Sequence, residues 1–151
     1  MIQRFYFDTS VIGGVFDSEF EELSTVLFEK VKLGKIKMLY SFITEDELID
    51  APKKVRAFFN SLSDRNKELI ELSEEAIQLA ETYLKEGVVG KSSRNDCLHI
   101  ALPTISKADL LVSWNFKHIV NIYRIRGYNS VNMRMGYPVI EIRSPKEIIE
   151  L

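Results

Sequence analysis

Four oxygen-bearing side chains stand where a phosphate chemistry could use them. Asp8 ends the apolar run of "RFYFDTSVIGG", directly after Phe5, Tyr6 and Phe7. Glu47 lies in "SFITEDELIDAP", Asp96 in "SRNDCLHIA" and Asn115 in "LLVSWNFKHI". A carboxylate beside a buried strand costs free energy unless something pairs with it. Three carboxylates drawn to one place repel one another without a cation. A hard divalent ion with oxygen ligands, Mg²⁺ or Mn²⁺, resolves that repulsion. Such an ion orients a phosphodiester, activates a water and stabilises charge on the leaving oxygen. Asn115 adds a carbonyl oxygen without charge.

Each of these residues also has a structural reading. Thr44-x-x-Glu47 has the spacing of a helix capping box, and so does Ser93-x-x-Asp96 in its Asp form. Asp8 can close a turn on the backbone of Ser10 or Val11, and Asn115 is an ordinary turn residue. The weight lies in the joint placement. His99, three residues after Asp96, can pair with it on a metal or serve as a core histidine bonded to a carbonyl. The second is the stronger reading, because no second His or Cys lies near enough to complete a transition-metal site. His118 reads as a surface or loop residue. Cys97 has no base partner and does not read as a nucleophile. Gly13 and Gly14 lack the glycine spacing and following lysine of a phosphate-binding loop. Trp114, Phe116 and Tyr123 can stack on bases or fill a core, and core is favoured for Trp114.

The elements that must position these residues alternate. Residues 3–7 and 36–40 read as strands, and residues 18–33 as an amphipathic helix with Gly34 as its C-cap. Short helices follow over Glu45–Ile49 and Pro52–Asn60, with Pro52 suited to a first helical position. Residues 67–72 read as a strand, with helix nearly as well supported. Ser73 caps a helix that ends at Gly87, and a further helix runs from about Ser93 to Lys107. Pro103 must kink or end it. "DLLVS" is a strand, a helix covers parts of 117–126, and "PVIEI" is the last strand. Strands alternating with helices predict an α/β fold with a parallel sheet covered on both faces. In such folds ligands bind beyond the carboxyl ends of the strands, where Asp8, Glu47, Asp96 and Asn115 all fall.

The 151 residues suit one domain, 1–151, with no linker. The composition, 46% hydrophobic and 28% charged, is that of a globular protein. Cys97 is the sole cysteine, which excludes an intrachain disulfide and suits a reducing, cytoplasmic setting. The chain has no signal-peptide layout and no run of the roughly 20 apolar residues that span a bilayer. The net charge of −2 hides an asymmetry. Residues 1–90 carry 11 basic and 17 acidic groups, whereas residues 91–151 carry 9 basic and 5 acidic. Lys91, Arg94, Lys117, Arg124 and Arg126 lie in the basic part and are candidates to hold a phosphate chain; the alternative is a solvated surface of mixed charge.

"FYFDTSVIGG", "ELIDAP", "SRNDCLHIA" and "LLVSWNFKHI" resemble, in order and spacing, the successive motifs of a PIN domain, and "NIYRIRGYNSVN" continues as in one bacterial subgroup. The resemblance spans essentially the whole chain. It implies a three-layer α/β/α sandwich around a parallel sheet. It also implies a Mg²⁺- or Mn²⁺-dependent nuclease acting on RNA, a toxin of VapC type paired with an antitoxin in many bacterial members. The family's acids match Asp8, Glu47 and Asp96. Glu45 and Asp46 are near misses, and Glu47 is preferred because it precedes Leu48. The fourth position departs, since Asn115 stands where the family often has Asp. One charge fewer weakens metal affinity and disfavours a second ion.

The reading is therefore a PIN-like nuclease with Asp8, Glu47 and Asp96 as metal ligands and Asn115 beside them, directly or through water. Its expected partners are RNA, an antitoxin protein and a second copy of the chain, and not a membrane. A degenerate PIN domain that binds RNA or a protein without cutting is the alternative. A weaker third reading is a nucleotide-binding α/β domain in which Asp8 holds a metal for a small phosphorylated substrate.

Overall fold

The structure is a computed structural model that describes residues 2–88 and 94–149. Five parallel strands form one sheet: β1 (Gln3–Phe7), β2 (Ile36–Tyr40), β3 (Lys67–Leu69), β4 (Leu110–Val112) and β5 (Ile142–Arg143), in the order β3-β2-β1-β4-β5. Helices α1 (Thr9–Gly14), α2 (Glu21–Lys32), α3 (Phe42–Ile49), α4 (Lys53–Ser61), α5 (Glu74–Lys85), α6 (Arg94–Ile105), α7 (Ile122–Arg134) and α8 (Pro145–Ile149) complete the described elements.

The period-two alternation of β1 sorts side chains to the two faces of the sheet. Phe5 and Phe7 join the core under α1, α2 and α4 with Val11, Leu27, Phe28, Val31, Met38 and Phe59. Tyr6 points the other way, into the core of α5, α6 and α7 with Leu39, Tyr83, Ile100, Leu111 and Tyr128. The predicted α/β/α architecture is therefore the one observed.

Strand β1 sits at the centre, paired to β2 on one side and β4 on the other, with Phe5 opposite Met38 and Leu110. The chain leaves β1 toward one face and β4 toward the other, so the topological switch lies between the carboxyl ends of these two strands. Asp8 continues β1 there, its N–H donating to the Val112 carbonyl at 3.2 Å.

Several boundaries differ from the sequence reading. A short helix, α1, follows Asp8 over residues to which the sequence reading gave no element. Helix α3 begins at Phe42 because Ser41 and Thr44 form the capping box, and Glu47 is a mid-helix residue with no part in it. Pro52 is the N-cap of α4 rather than its first helical residue. Helix α6 runs on through Pro103 to Ile105, and the capping role expected of Ser93 lies outside the described residues. Helix α7 starts at Ile122, where the Asn121 side chain accepts from the N–H groups of Tyr123 and Arg124, and extends eight residues past the expected end at 126. Strand β3 is shorter than expected, and β5 begins at Ile142, the last residue of the expected strand 138–142, and runs to Arg143.

Candidate active site

Asp8 ends β1 only 4% exposed, with a donor on each carboxylate oxygen. The Ser10 hydroxyl donates to Oδ1 at 2.5 Å and the Ser113 hydroxyl to Oδ2 at 2.6 Å. Ser10 comes from α1 and Ser113 from the end of β4, so the switch point itself supplies both. Ser113 Oγ also accepts the Asn115 N–H, and Ser10 Oγ accepts the Trp114 N–H. The turn after β4 is thereby tied to the acid. Burial pushes the Asp8 carboxyl above the usual carboxylate range; the lowering effect of His99, Ser10 and Ser113 does not cancel it, and the neighbouring Glu47 charge adds to it.

Glu47 reaches the same region from α3. It is about one-third exposed, while Glu45 and Asp46 are fully on the surface. Its Oε1 accepts the Thr9 hydroxyl at 2.7 Å and His99 Nε2 at 2.5 Å. Partial burial opposes ionisation of Glu47. The His99 hydrogen bond, the charge His99 carries when protonated, and hydrogen bonds from Thr9 and Asn95 outweigh that and hold the carboxyl below its ordinary value.

His99 is a correction to the expected core histidine on a carbonyl. It is 2% exposed, and it bridges two side chains. Nε2 meets Glu47, and Nδ1 meets the Tyr6 hydroxyl at 2.7 Å. Tyr6 is fully buried and its oxygen also lies 2.8 Å from Ser41 Oγ. No sequence window could reveal this, because Tyr6 and Glu47 lie 93 and 52 residues from His99. The inward parity of Tyr6 on β1 was the one available signal.

Asp96 lies half-buried in the first turn of α6, where its charge adds to burial in holding the Cys97 thiol and the Tyr128 hydroxyl in their neutral forms. Among the described residues no three His, Cys, Asp or Glu side chains form a group that could hold an ion. The fold therefore brings Asp8 and Glu47 into mutual electrostatic reach and does not draw Asp96 into a three-ligand set with them. Asn115 Oδ1 accepts the His118 N–H at 2.9 Å, the bond of a turn residue. Ser113, which the sequence reading passed over, makes the contact with Asp8.

Asp8 and Glu47 nevertheless suit a hard cation in donor type. Burial and the mutual repulsion of the two acids both disfavour charge on Asp8, and a bound cation would relieve both.

The other candidates separate clearly. Trp114 is core, 8% exposed, stacked on Phe20 at 4.2 Å between ring centroids and donating from its indole to Ser24 Oγ. Phe116 and Tyr123 are 49% and 78% exposed. Burial pushes the Cys97 thiol up to about 12, which makes it a poor nucleophile. His118 is half-buried in the loop between β4 and α7. Of the basic candidates, Lys91 lies outside the described residues, Arg94 pairs with Glu81 at 3.0 Å, and Arg124 donates to the Val88 carbonyl. Lys117 and Arg126 are exposed. Among the described residues no helix is long and apolar enough to cross a membrane.

Comparison with known proteins locates this arrangement in a fold. No protein-family model matches the chain, and no curated protein matches it in sequence. Solved structures do match. A chain of VapBC2 from Rickettsia felis, crystallised with a DNA fragment from the promoter, superposes with a TM-score of 0.60 at 14% identity, over 94% of this chain and 98% of that one. A chain of DNA-bound VapBC from Salmonella typhimurium gives a TM-score of 0.58 at 18% identity, over 96% and 99%. At such identities the likeness establishes the fold, which is PIN-like.

Proposed function

We propose that this chain is a metal-dependent endoribonuclease that hydrolyses phosphodiester bonds of RNA, and that it is the toxin of a toxin–antitoxin pair. The observation that carries the reading is Asp8: an acid held nearly dry at the switch point of a PIN-like sheet, facing a second acid, Glu47. The order of the sequence motifs supports it, and the likeness to VapBC complexes supports an antitoxin partner.

Asp8 and Glu47 would hold a Mg²⁺ or Mn²⁺ ion, with Asp96 as the further acid the resemblance implies. That ion would supply a water of lowered pKa and stabilise charge on the phosphate oxygens. Ser10 and Ser113 fix both oxygens of Asp8 through charge-assisted hydrogen bonds, so that the acid keeps one orientation. Thr9 and His99 do the same for Oε1 of Glu47. Lys117 and Arg126 are exposed cations suited to the RNA backbone, and Arg94 and Arg124 adjoin the same part of the chain. No protein nucleophile is required.

A second reading is favoured by one observation. The described acids do not assemble a three-ligand group, and Asn115 brings no fourth charge. That suits a degenerate PIN domain which binds RNA or a protein without cutting.

A paired assay separates the two. Cleavage rate and binding affinity are measured for one single-stranded RNA in Mg²⁺, in Mn²⁺ and in chelator. The nuclease cuts in metal and stops in chelator, and Asp8→Asn cuts far more slowly while leaving binding intact. Binding without cleavage in either metal leaves the degenerate domain, and neither binding nor cleavage removes RNA as the partner.

A further inference from the structure

The chain of hydrogen bonds behind Glu47 has a direction. Glu47 as a carboxylate only accepts, so in neutral His99 it favours the ring proton on Nε2. Nδ1 is 2.7 Å from the Tyr6 hydroxyl, and that hydroxyl is 2.8 Å from Ser41 Oγ. Ser41 Oγ already accepts the Thr44 backbone N–H in the capping box of α3. Its own proton is therefore available to Tyr6. Tyr6 then passes its proton's hydrogen bond on to Nδ1.

In this direction every donor finds an acceptor: Ser41 to Tyr6, Tyr6 to His99, His99 to Glu47. The opposite direction fails. A proton on Nδ1 would turn the Tyr6 hydroxyl toward Ser41, whose only side-chain partner among the described residues is Tyr6. The Ser41 hydroxyl would keep an unpaired proton at a fully buried position. Burying an unsatisfied hydroxyl is costly.

We infer that His99 is a positioning residue for Glu47, locked in a single tautomer by Tyr6 and Ser41, so that β1, α3 and α6 together set the orientation of this acid. The inference rests on the reading of Glu47 as an active-site acid. Residues behind a ligand that orient it in this way commonly change metal affinity by about 10–100-fold. Thr9 adds a second donor to Oε1 at 2.7 Å, so that two donors from two elements fix the same oxygen.

The test uses the full chain and Mn²⁺ alone as the probe. Mn²⁺ affinity is measured for the parent, Tyr6→Phe, His99→Leu and His99→Gln, with Ile100→Val as a control for core disturbance on the same helix. Long-range ¹H–¹⁵N spectra of the imidazoles report which His99 nitrogen carries the proton. The parent is expected to show the proton on Nε2. Tyr6→Phe removes one hydroxyl and keeps the ring; it should weaken Mn²⁺ binding about 10-fold and redistribute the His99 proton between its nitrogens. His99→Leu should lose more, and His99→Gln should recover part of that loss through its amide N–H. Ile100→Val should bind as the parent does.

A parent with the proton on Nδ1 overturns the inference, and so does Mn²⁺ binding unchanged in both Tyr6→Phe and His99→Leu. A parent that takes up no Mn²⁺ instead removes the proposed metal site. The positioning claim is then judged by the spectra of Tyr6→Phe: it stands if the His99 proton moves and falls if it does not.

Discussion

Two buried polar clusters lie on the same face of the sheet, and they are built differently. In one, the Tyr83 hydroxyl donates to Asn132 Oδ1, Asn132 Nδ2 donates to Asn129 Oδ1 at 3.1 Å, and Asn129 bonds both the N–H and the carbonyl of Ile140. Every member is neutral, and the chain of bonds ends on backbone. It fastens the segment before β5 to α7 and α5. In the other, Ser41, Tyr6 and His99 lead to Glu47, with Asp8 beside it. That network ends on acids, one of them nearly dry. Both clusters satisfy their hydrogen bonds, so satisfaction alone does not mark function. The distinguishing feature is charge that the fold leaves uncompensated.

Removing that charge should have the largest effect on activity and the least on stability. Asp8→Asn is expected to lower RNA cleavage by roughly 10²–10³-fold, the scale of one well-placed electrostatic group. It should leave the metal-free protein as stable as before or more stable. The sign follows from linkage. The folded-state pKa of Asp8 is raised, so the folded protein binds the extra proton, and stability is lost as pH rises from the unfolded carboxylate range through the folded value. Glu47 works the other way: its depressed pKa gives stability that is present above the ordinary carboxylate range and lost as pH falls. Denaturation measured from pH 3 to 7 should show Asp8→Asn gaining on the parent as pH rises. A variant that loses stability at neutral pH would mean that Asp8 is a structural acid.

The neutral cluster should respond in reverse. Asn132→Ala strands the Tyr83 hydroxyl and Asn129 in the interior and is expected to cost about 2–3 kcal/mol in unfolding experiments. The folded fraction should cut RNA at the parent rate. Equal loss of cleavage per folded molecule would erase the contrast between the clusters.

Metal ions should sharpen it. An ion that binds only the folded site stabilises by RT ln(1 + [L]/Kd), about 1.4 kcal/mol at ten times Kd. Mn²⁺ should therefore raise the melting temperature of the parent and of Asn132→Ala, and should leave Asp8→Asn unmoved. A parent whose melting temperature stays flat in both Mn²⁺ and Mg²⁺ would count against an ion at Asp8 and Glu47.

What the sequence made legible was local. Strands 3–7 and 36–40 coincide with β1 and β2, because their apolar runs are bounded by polar turns. Asp8 was conspicuous as an acid at the end of a buried strand. Helix α1 was not legible, because two glycines look like a loop. Gly14 is there for contact: a Cβ would come within 2.6 Å of Ser24 Oγ and 2.8 Å of Trp114 Nε1. The start of α3 was misread because a Thr-x-x-Glu pattern is the commoner box, whereas here Ser41 and Thr44 close it. Helix α7 was displaced because its buried side includes Asn132, which breaks the apolar period. The partners of His99 and the Ser113 contact with Asp8 come from residues far apart in the chain, and only the assembled sheet reveals them.

The smallest expected effect concerns the turn that joins β4 to this site. Asn115 Oδ1 accepts the His118 N–H, and the Asn115 N–H donates to Ser113 Oγ, which in turn holds Asp8. Asp in place of Asn115 can keep both bonds, since its carboxylate accepts where the amide oxygen did. Asn115→Asp should therefore change stability by no more than about 0.5 kcal/mol in the absence of metal, the range of a substitution that breaks no buried contact. What sign the change has is informative. A third acid near Asp8 and Glu47 adds repulsion, so the metal-free variant should be slightly less stable, and Mn²⁺ should restore more than it gives the parent. Mn²⁺ affinity should rise a few-fold and RNA cleavage with it. If Asn115→Asp binds Mn²⁺ as the parent does, then residue 115 belongs with the neutral cluster, as a turn element whose oxygen serves the His118 amide alone.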